Sequence, residues 1–353
     1  VVCILHRLRK LEQLPHLATI AEQGRLRGAA RRMAMPQPAL TRSVRALERE
    51  LGGALFVRES TGMVLTPMGK RFHLHASAIV NEARRAIDAV SQEEGGDNEG
   101  TVTVALSIMP HVGMLPHALP VFQQRFPKVR LHLSEGLFPD VESGLRQGSI
   151  DFYLGAAPRL APAAGLTVQA LFENTRAVVC RKGHPLAAAR SLKALARANW
   201  ATTAVDYNAE DDITRLFASH GLPAPRVLLQ ARSAMSVMVA LAHSDLLAML
   251  PVQWEEFPLM RDNLQMIRIR EVLPAPRIVL IRRPDLPLTP AAEFLCDVLL
   301  RYGPSPPAAK PSSAPLNGAL DRRCPGPPAR CHIHITFDKL PSYVHRTPFL
   351  HVI

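Results

Sequence analysis

The sequence has few of the features that mark secreted or membrane-embedded proteins. It contains only five cysteines in 353 residues. They lie far apart over most of the chain, so we predict no disulfide framework and expect a reducing compartment. The most apolar later stretch, residues 235–252, is interrupted by His243, Ser244 and Asp245, which favours a core element over a membrane span. At the start of the sequence, charges directly follow a short apolar run, unlike a signal peptide. We therefore expect a cytoplasmic protein without a membrane partner.

Familiar catalytic and cofactor motifs are also missing. The sequence contains no G-x-S-x-G, H-E-x-x-H, G-x-G-x-x-G or C-x-x-C. The segment GMVLTPMGKR has a glycine spacing too long for a phosphate loop, and no Ser or Thr follows Lys70. Near the C-terminus, Cys324 and Cys331 are separated by more residues than zinc sites prefer, although His332 and His334 follow them. We predict no enzyme, no cofactor and no metal site.

Positive charge is concentrated at the N-terminal end. Residues 1–72 hold thirteen Lys and Arg against five Asp and Glu, a net charge of +8. Residues 73–302 hold twenty-three of each kind and are neutral. A basic module attached to a neutral remainder is typical of a polyanion-binding unit joined to a unit with another task. The chain is also too long for one ordinary core, which favours two or three domains.

Residues 1–66 have the pattern of a small helical domain with a hairpin. Apolar residues recur every three or four positions over three short segments, as on helix faces. The third predicted helix offers Leu40, Val44, Leu47 and Leu51 as a buried stripe, and glycines follow it. Two short β-type runs around Thr61 predict a hairpin wing.

Residues 67–99 predict one long linker helix. Thr66 and Pro67 suit a helix start, because a hydroxyl can cap the helix and proline fits its first turn. Apolar positions then repeat at alternating spacings of four and three residues, as in a two-stranded helix pair. The alternative is packing on the same chain, but we predict a homodimer or homotetramer. The predicted seam consists of Phe72, Ala76, Ile79, Ala83, Ala86 or Ile87, and Val90.

Residues 100–302 alternate between apolar strands and helical segments. This order favours an α/β domain with mostly parallel sheets and ligands at the carboxyl ends of strands. The length suits two lobes, with the second at about residues 164–268. Residues 303–353 are proline-rich without a periodic apolar pattern, so this tail is predicted to be disordered.

The polar side of the third helix offers side chains suited to double-stranded DNA. Gln and Arg can form paired hydrogen bonds with base edges, and Thr can contact a thymine methyl group or a phosphate. A solvated basic helix face is the alternative. For base or near-base contact we predict Gln37, Pro38, Thr41 and Arg42; for phosphates Arg45, Arg31 and Arg32; and for the minor groove Arg58.

These motifs resemble a known family. The segment GRLRGAARRMAMPQPALTRSVRALERELGGALFVRESTGMVLTPMG, residues 24–69, is similar to the winged helix-turn-helix of LysR-type transcriptional regulators. The resemblance extends over residues 8–302, through FPKVRLHLSEG, LRQGSIDFYLG and RKGHPLA. It implies a fold of mixed class: an all-α winged helix-turn-helix domain, a long linker helix and a two-lobed α/β domain. The two lobes would be Rossmann-like and similar to periplasmic binding proteins, with the second inserted in the first.

The resemblance implies a regulator that binds operator DNA and responds to a small-molecule effector, with RNA polymerase as a further candidate partner. For the effector it points to Ser107, Met109, Phe138, Thr202 and Thr203. The hydroxyl groups suit a small organic acid, although such residues also satisfy local backbone groups. The chain departs from the family at Ala34, where a glycine is frequent, and at HSDLLAMLP, where a glycine-rich run is usual. The alternative is an enzyme or binding protein that uses the two-lobed domain without regulating transcription.

Overall fold

A computed structural model describes residues 11–60, 62–93, 99–138, 140–162, 164–203, 209–231, 233–256 and 261–303. Except for Gly303, the predictions for residues 303–353, including the two cysteines and two histidines, lie outside the described residues. The helices are α1 (Leu14–Gln23), α2 (Leu26–Arg32), α3 (Gln37–Leu51), α4 (Pro67–Ser91), α5 (Ile108–Gly113), α6 (Leu115–Arg125), α7 (Glu142–Gln147), α8 (Ala209–Ser219), α9 (Ala234–Ala242) and α10 (Pro290–Arg301). The strands are β1 (Phe56–Glu59), β2 (Gly62–Leu65), β3 (Gly100–Leu106), β4 (Val129–Glu135), β5 (Phe152–Ala156), β6 (Thr167–Glu173), β7 (Arg176–Arg181), β8 (Asn199–Thr203), β9 (Arg226–Ala231), β10 (Leu246–Pro251), β11 (Leu264–Ile267) and β12 (Arg277–Arg282).

Helices α1 to α3 and the β1–β2 hairpin share one apolar core. Leu17, Ile20 and Leu55 are completely buried in it. Helix α3 contributes Leu40, Val44 and Leu47 as buried residues, with Leu51 packed partly buried against them. This confirms the predicted stripe. The two strands of the hairpin are antiparallel, as predicted for a wing.

Helix α4 begins where the sequence predicts. The Thr66 hydroxyl accepts a hydrogen bond from the Gly69 amide at 2.9 Å and so caps the helix. The predicted seam, however, divides into two parts. Phe72 and Ala76 pack against the N-terminal core, whereas Ile87 and Val90 are 71% and 70% exposed. A single seam from Phe72 to Val90 is therefore wrong, because the first turns of α4 complete the core of their own domain.

The C-terminal half of α4 is fastened to the first lobe of the α/β domain. The Asn81 side-chain amide donates to the Gln147 carbonyl at 2.9 Å. Near the end of the helix, the Gln92 side-chain oxygen accepts from the backbone amide of Ala291, at the start of α10, at 3.0 Å. Between them, Arg85 is only 4% exposed and lies 3.6 Å from the buried Asp151 carboxylate. The linker helix is thus held to this lobe over several turns.

Two five-stranded sheets form the cores of the two lobes, in the orders β4-β3-β5-β12-β6 and β11-β7-β10-β8-β9. The fold of mixed class with a two-lobed α/β domain is confirmed. Strand β3 is parallel to β4 and β5, and β8 is parallel to β9 and β10. In contrast, β12 is antiparallel to β5 and β6, and β7 is antiparallel to β10 and β11.

The expectation of mostly parallel sheets is therefore wrong. The antiparallel pairs arise where the chain passes between the lobes, because a returning strand enters its sheet in the opposite direction. Strand β6 lies inside the range expected for the second lobe, yet it pairs with β12 in the first sheet. This moves the start of the second lobe from about residue 164 to a position after Glu173.

Candidate functional site

The outer face of α3 carries the side chains predicted to contact DNA. Gln37, Pro38, Arg42 and Arg45 are exposed, and Thr41 is half-buried at the edge of this face. The neighbouring elements add further exposed arginines to the same domain. These are Arg31 and Arg32 at the end of α2, and Arg58 on strand β1. All eight candidates are therefore accessible to solvent, whereas the apolar stripe of α3 is turned into the core.

Hydrogen bonding and ion pairing distinguish these candidates. The Thr41 hydroxyl donates to the Gln37 carbonyl at 3.0 Å, within the first turns of α3. Arg32 forms a loose ion pair with Glu22 at 3.6 Å, with both side chains largely exposed. Within the described part of the chain, Arg31, Arg42, Arg45 and Arg58 take part in no ion pair. An anionic partner could engage these four guanidinium groups without first displacing a carboxylate.

Two contacts and one turn fix the orientation of α3. The His16 ring nitrogen Nδ1 lies 2.6 Å from the Ser43 hydroxyl and joins α1 to α3. At the other end, the Glu48 carboxylate accepts from the Leu55 amide at 2.8 Å and so ties α3 to the wing. The turn before α3 places Ala34 at a φ of 49°, in the left-handed region. Ala34 thus adopts the left-handed conformation that favours glycine, the residue frequent at this position in the family.

The carboxyl end of β4 in the first lobe contacts the start of α9 in the second lobe. Glu135 is the last residue of β4, and Ala234 is the first residue of α9 in the second lobe. The Glu135 carboxylate accepts a hydrogen bond from the Ala234 amide at 3.0 Å. Ser233, which precedes α9, makes no side-chain capping bond, so the carboxylate from the opposite lobe takes that role. Chain folding has thus brought the two predicted ligand-binding edges together.

The structure does not gather the predicted effector residues in one of the cavities described for it. Ser107 is 4% exposed at the end of β3, and Thr202 is 8% exposed. Thr202 and Thr203 line a small cavity of about 20 Å³. Phe138 is buried and packs on Tyr153 with ring centroids 6.0 Å apart. Met109 lines a different and larger cavity. Their roles in ligand contact stay predictions.

Sequence reasoning missed two features of the α/β domain. Glu135 could have been found, because it ends a predicted strand at the edge where ligands bind. The second feature is a cavity of about 640 Å³ lined by residues of both lobes, including Arg176, Gln253, Arg268 and Glu271. These residues lie at a strand start, in a short 3₁₀ helix and in the segment after β11, without a recognisable motif. No sequence pattern predicts that they meet.

No group of three or more His, Cys, Asp or Glu side chains in the described part of the chain could hold a metal ion. No helix within the same residues combines the length and apolar character needed to cross a membrane.

Comparison with known families accounts for both halves of the chain. Residues 11–70 match the model described as bacterial regulatory helix-turn-helix protein, lysR family. Residues 95–304, more than half of the chain, match the LysR substrate binding domain. The chain belongs to the LysR family of DNA-binding transcriptional regulators.

Similar LysR-type proteins have been described. The transcriptional regulator GalR of Pseudomonas putida is 27% identical, and the match covers 82% of this chain and 72% of that protein. The SDS degradation transcriptional activation protein of a Pseudomonas species is 28% identical, with 86% and 99% covered. Among solved structures, the LysR family transcriptional regulator CbnR matches with a TM-score of 0.62 at 21% identity, covering 83% of this chain and 98% of its own. CbnR in complex with its target DNA matches with a TM-score of 0.60 at 21% identity, covering 83% and 99%. The structural likeness establishes the fold.

Proposed function

We propose that this LysR-family regulator binds operator DNA through the exposed face of α3 and responds to a small organic acid in the cleft between its lobes. It acts in the cytoplasm as a homodimer or homotetramer, and RNA polymerase is a candidate partner. The DNA-binding domain comprises residues 1–66, the linker helix residues 67–99, and the effector domain residues 100–302. We assign no catalytic step to the chain.

The observation that carries the DNA proposal is the set of unpaired arginines on one face of the N-terminal domain. Arg42 and Arg45 lie on α3 opposite its buried leucines, and no described residue forms an ion pair with them. Arg42 is placed near the start of the helix, where side chains of a recognition helix reach base edges. Arg45 follows one turn later and is assigned to a phosphate. Gln37, Pro38 and Thr41 complete the proposed base-contacting set.

The test is the affinity of the full chain for a fluorescently labelled duplex from the intergenic region beside its gene. We expect Arg42→Ala to weaken binding by about 1–3 kcal/mol and to reduce discrimination against a scrambled duplex, since a base contact is lost. We expect Arg45→Ala to weaken binding to both duplexes. It should also lower the slope of log affinity against log salt by about one, since one phosphate contact is lost.

The matched control is Arg146→Ala, which removes the same charge from an exposed position of the neutral α/β domain. This variant should bind both duplexes like the unmodified protein at every salt concentration. If Arg42→Ala keeps full affinity and full discrimination at fixed salt, the recognition-helix assignment is wrong.

The effector proposal rests on hydrogen-bonding groups at the carboxyl ends of strands. Ser107, which follows β3, and Thr202 in β8 supply hydroxyls that can donate to a carboxylate. Met109, Phe138 and Thr203 are the other proposed contacts. A thermal-shift screen of small carboxylic acids is the test, and Ser107→Ala and Thr202→Val are expected to weaken any hit. A hit whose affinity is unchanged in both variants would rule out this binding mode.

A further inference from the structure

Helix α4 is shared by the N-terminal domain and the first lobe. Its first turns pack Phe72 and Ala76 against the core of the N-terminal domain. Its second half contacts the first lobe through side chains that recur at spacings of four, three and four residues. Because an α-helix has 3.6 residues per turn, these side chains lie on one face of α4. We refer to this face as the polar ladder and define it by Asn81, Arg85, Asp88 and Gln92.

The two ends of the polar ladder bind backbone groups of different helices. Asn81 donates from its side-chain amide to the carbonyl of Gln147, the last residue of α7, at 2.9 Å. Gln92 is 3% exposed and accepts from the Ala291 amide, in the first turn of α10, at 3.0 Å. Strand β3 also approaches closely, since a Cβ atom added to Gly100 would lie 2.6 Å from Nε2 of Gln92. These contacts leave α4 little freedom to slide along the first lobe.

The middle of the polar ladder contacts the sheet of the first lobe. Arg85 donates to the Glu82 carboxylate at 2.7 Å and lies 3.6 Å from the Asp151 carboxylate, which directly precedes β5. The Asp88 carboxylate accepts from the Thr101 amide of β3 at 3.2 Å. Strands β3 and β5 are neighbours in the sheet. The helix is therefore bonded to two helices and to the edges of two adjacent strands.

The opposite face of α4 is apolar and exposed. Its members are Ile79, Ala83, Ala86, Ile87 and Val90. At about 100° per residue, this face lies roughly 180° from the polar ladder. An amphipathic helix commonly turns its apolar side toward its own core, whereas this half of α4 turns its polar side toward the first lobe. Apolar packing therefore does not set the rotation of α4 on this lobe. The hydrogen bonds and the ion pair of the polar ladder set it.

We propose that the polar ladder makes α4 a rigid connection, so that the N-terminal domain and the first lobe turn as one body. Domains joined by a linker ordinarily move relative to one another, but α4 is packed into one of these two units and bonded to the other. Asn81, Asp88 and Gln92 are thus positioning residues, which fix where the exposed face of α3 stands relative to the first lobe. The consequence for regulation rests on the proposed function. An effector that turns the first lobe turns the N-terminal domain through the same angle.

The experiment measures the distance between two spin labels in the full chain by pulsed electron paramagnetic resonance. The labels are attached at Ala54→Cys in the N-terminal domain and Gln169→Cys in the first lobe, both at exposed positions. Subunit exchange with excess unlabelled chain restricts the measurement to distances within one chain. We expect one narrow distance distribution. Labelling is limited to the two sites by changing to serine the three cysteines outside the described residues, Cys3, Cys324 and Cys331.

The test variant combines Asn81→Asp, which replaces the amide donor by an acceptor, with Gln92→Leu, which removes the acceptor at similar volume. We expect the distance distribution to broaden by about twofold or more, because the backbone groups of α7 and α10 lose their partners on α4. Asn81→Asp alone should broaden it to a smaller extent. The matched control is Gln124→Leu, which makes the same change at an exposed position of α6 and should leave the width unchanged.

A broad or divided distribution in the unmodified protein would overturn the proposal. An unchanged width in the double variant, shown to be folded by circular dichroism, would also overturn it. If the double variant does not fold, Asn81→Asp alone decides in the same way. Affinity for the intergenic duplex, measured on the same samples, separates the two proposals. A narrow distribution in a protein that does not bind the duplex would contradict the proposed DNA binding and leave the rigid connection standing.

Discussion

At the scale of single residues, Ala34 carries strain that the sequence does not require. Its φ of 49° is in the left-handed region, which costs an L-residue roughly 1–2 kcal/mol and glycine much less. Glycine at this position would largely avoid that cost, but glycine loses more backbone entropy on folding, which offsets about 0.5–1 kcal/mol of the difference. We expect Ala34→Gly to raise the free energy of unfolding by up to about 1 kcal/mol. Urea denaturation of the full chain is the measurement.

The control for this prediction is Ala46→Gly, in the interior of α3. There the residue is helical, so glycine should destabilise the domain by about 1 kcal/mol. The two alanine-to-glycine changes are thus expected to have opposite signs. Equal destabilisation by both would mean that the left-handed turn at Ala34 is not present in solution.

Asp151 makes stability depend on pH. Burial raises the pKa of its carboxyl group, while the amide of Thr103 and the charge of Arg85 oppose the rise. Because the pKa of this carboxyl group is higher in the folded than in the unfolded protein, the protonated group favours the folded state. This stabilisation is fully present below the unfolded-state pKa and is lost as the pH rises through the folded-state pKa. Asp151→Asn, which does not titrate, should lack this decline. Denaturation of both proteins from about pH 4 to about pH 7 gives their free energies of unfolding and tests this prediction. A difference in the free energy of unfolding that stays constant over this range would contradict it.

At the scale of elements, α9 depends on the opposite lobe for its N-terminal cap. We expect Glu135→Ala to speed hydrogen exchange of the Ala234 amide by about tenfold or more, because a charge-assisted hydrogen bond is removed. Glu135→Gln keeps an oxygen acceptor without the charge and should give an intermediate rate. Exchange measured on a peptide from the start of α9 is the readout, with β11 as an internal reference. Unchanged exchange at Ala234 in Glu135→Ala would exclude the interlobe cap.

Helix α4 shows how one element serves two surfaces. Asn81, Arg85 and Gln92 fasten it to the first lobe, while Ile79, Ile87 and Val90 remain exposed. Arg85 also pairs with Glu82 at 2.7 Å, so removing Asp151 leaves Arg85 one carboxylate partner, whereas removing Arg85 leaves the buried Asp151 poorly compensated. The apolar repeat in the sequence predicted a long helix, but the helix ends at Ser91 and not at residue 99. The repeat could not distinguish the residues that complete the N-terminal core from those left exposed, because both groups follow the same helical spacing.

At the scale of the whole molecule, the exposed residues of α4 are the proposed contact between copies of the chain. We expect the double change Ile87→Ser and Val90→Ser to shift the mass measured by light scattering from oligomer toward monomer, because apolar area is lost from the contact. Leu160→Ser is the control, since Leu160 is 83% exposed and belongs to the segment between β5 and β6. A mass unchanged by the double variant would place the oligomer contact elsewhere.

The sequence by itself determined the local features of this regulator. Helical spacing determined which side of α3 is buried, and the threonine–proline pair determined where α4 begins. The uneven distribution of positive charge along the chain indicated that the N-terminal domain binds an anionic partner. These features could be predicted because they depend on side chains that are neighbours along the chain, where periodicity and capping act directly.

Only the tertiary structure decided the features that join distant parts of the chain. The antiparallel entry of β12, the place of β6 in the first sheet and the Glu135–Ala234 contact all depend on how the chain crosses between lobes. The cavity of about 640 Å³ has the same origin, because Met109 and Glu271 line it together only when both crossings are complete. Sequence spacing does not predict such contacts, because long-range contacts depend on packing and not on local backbone preference.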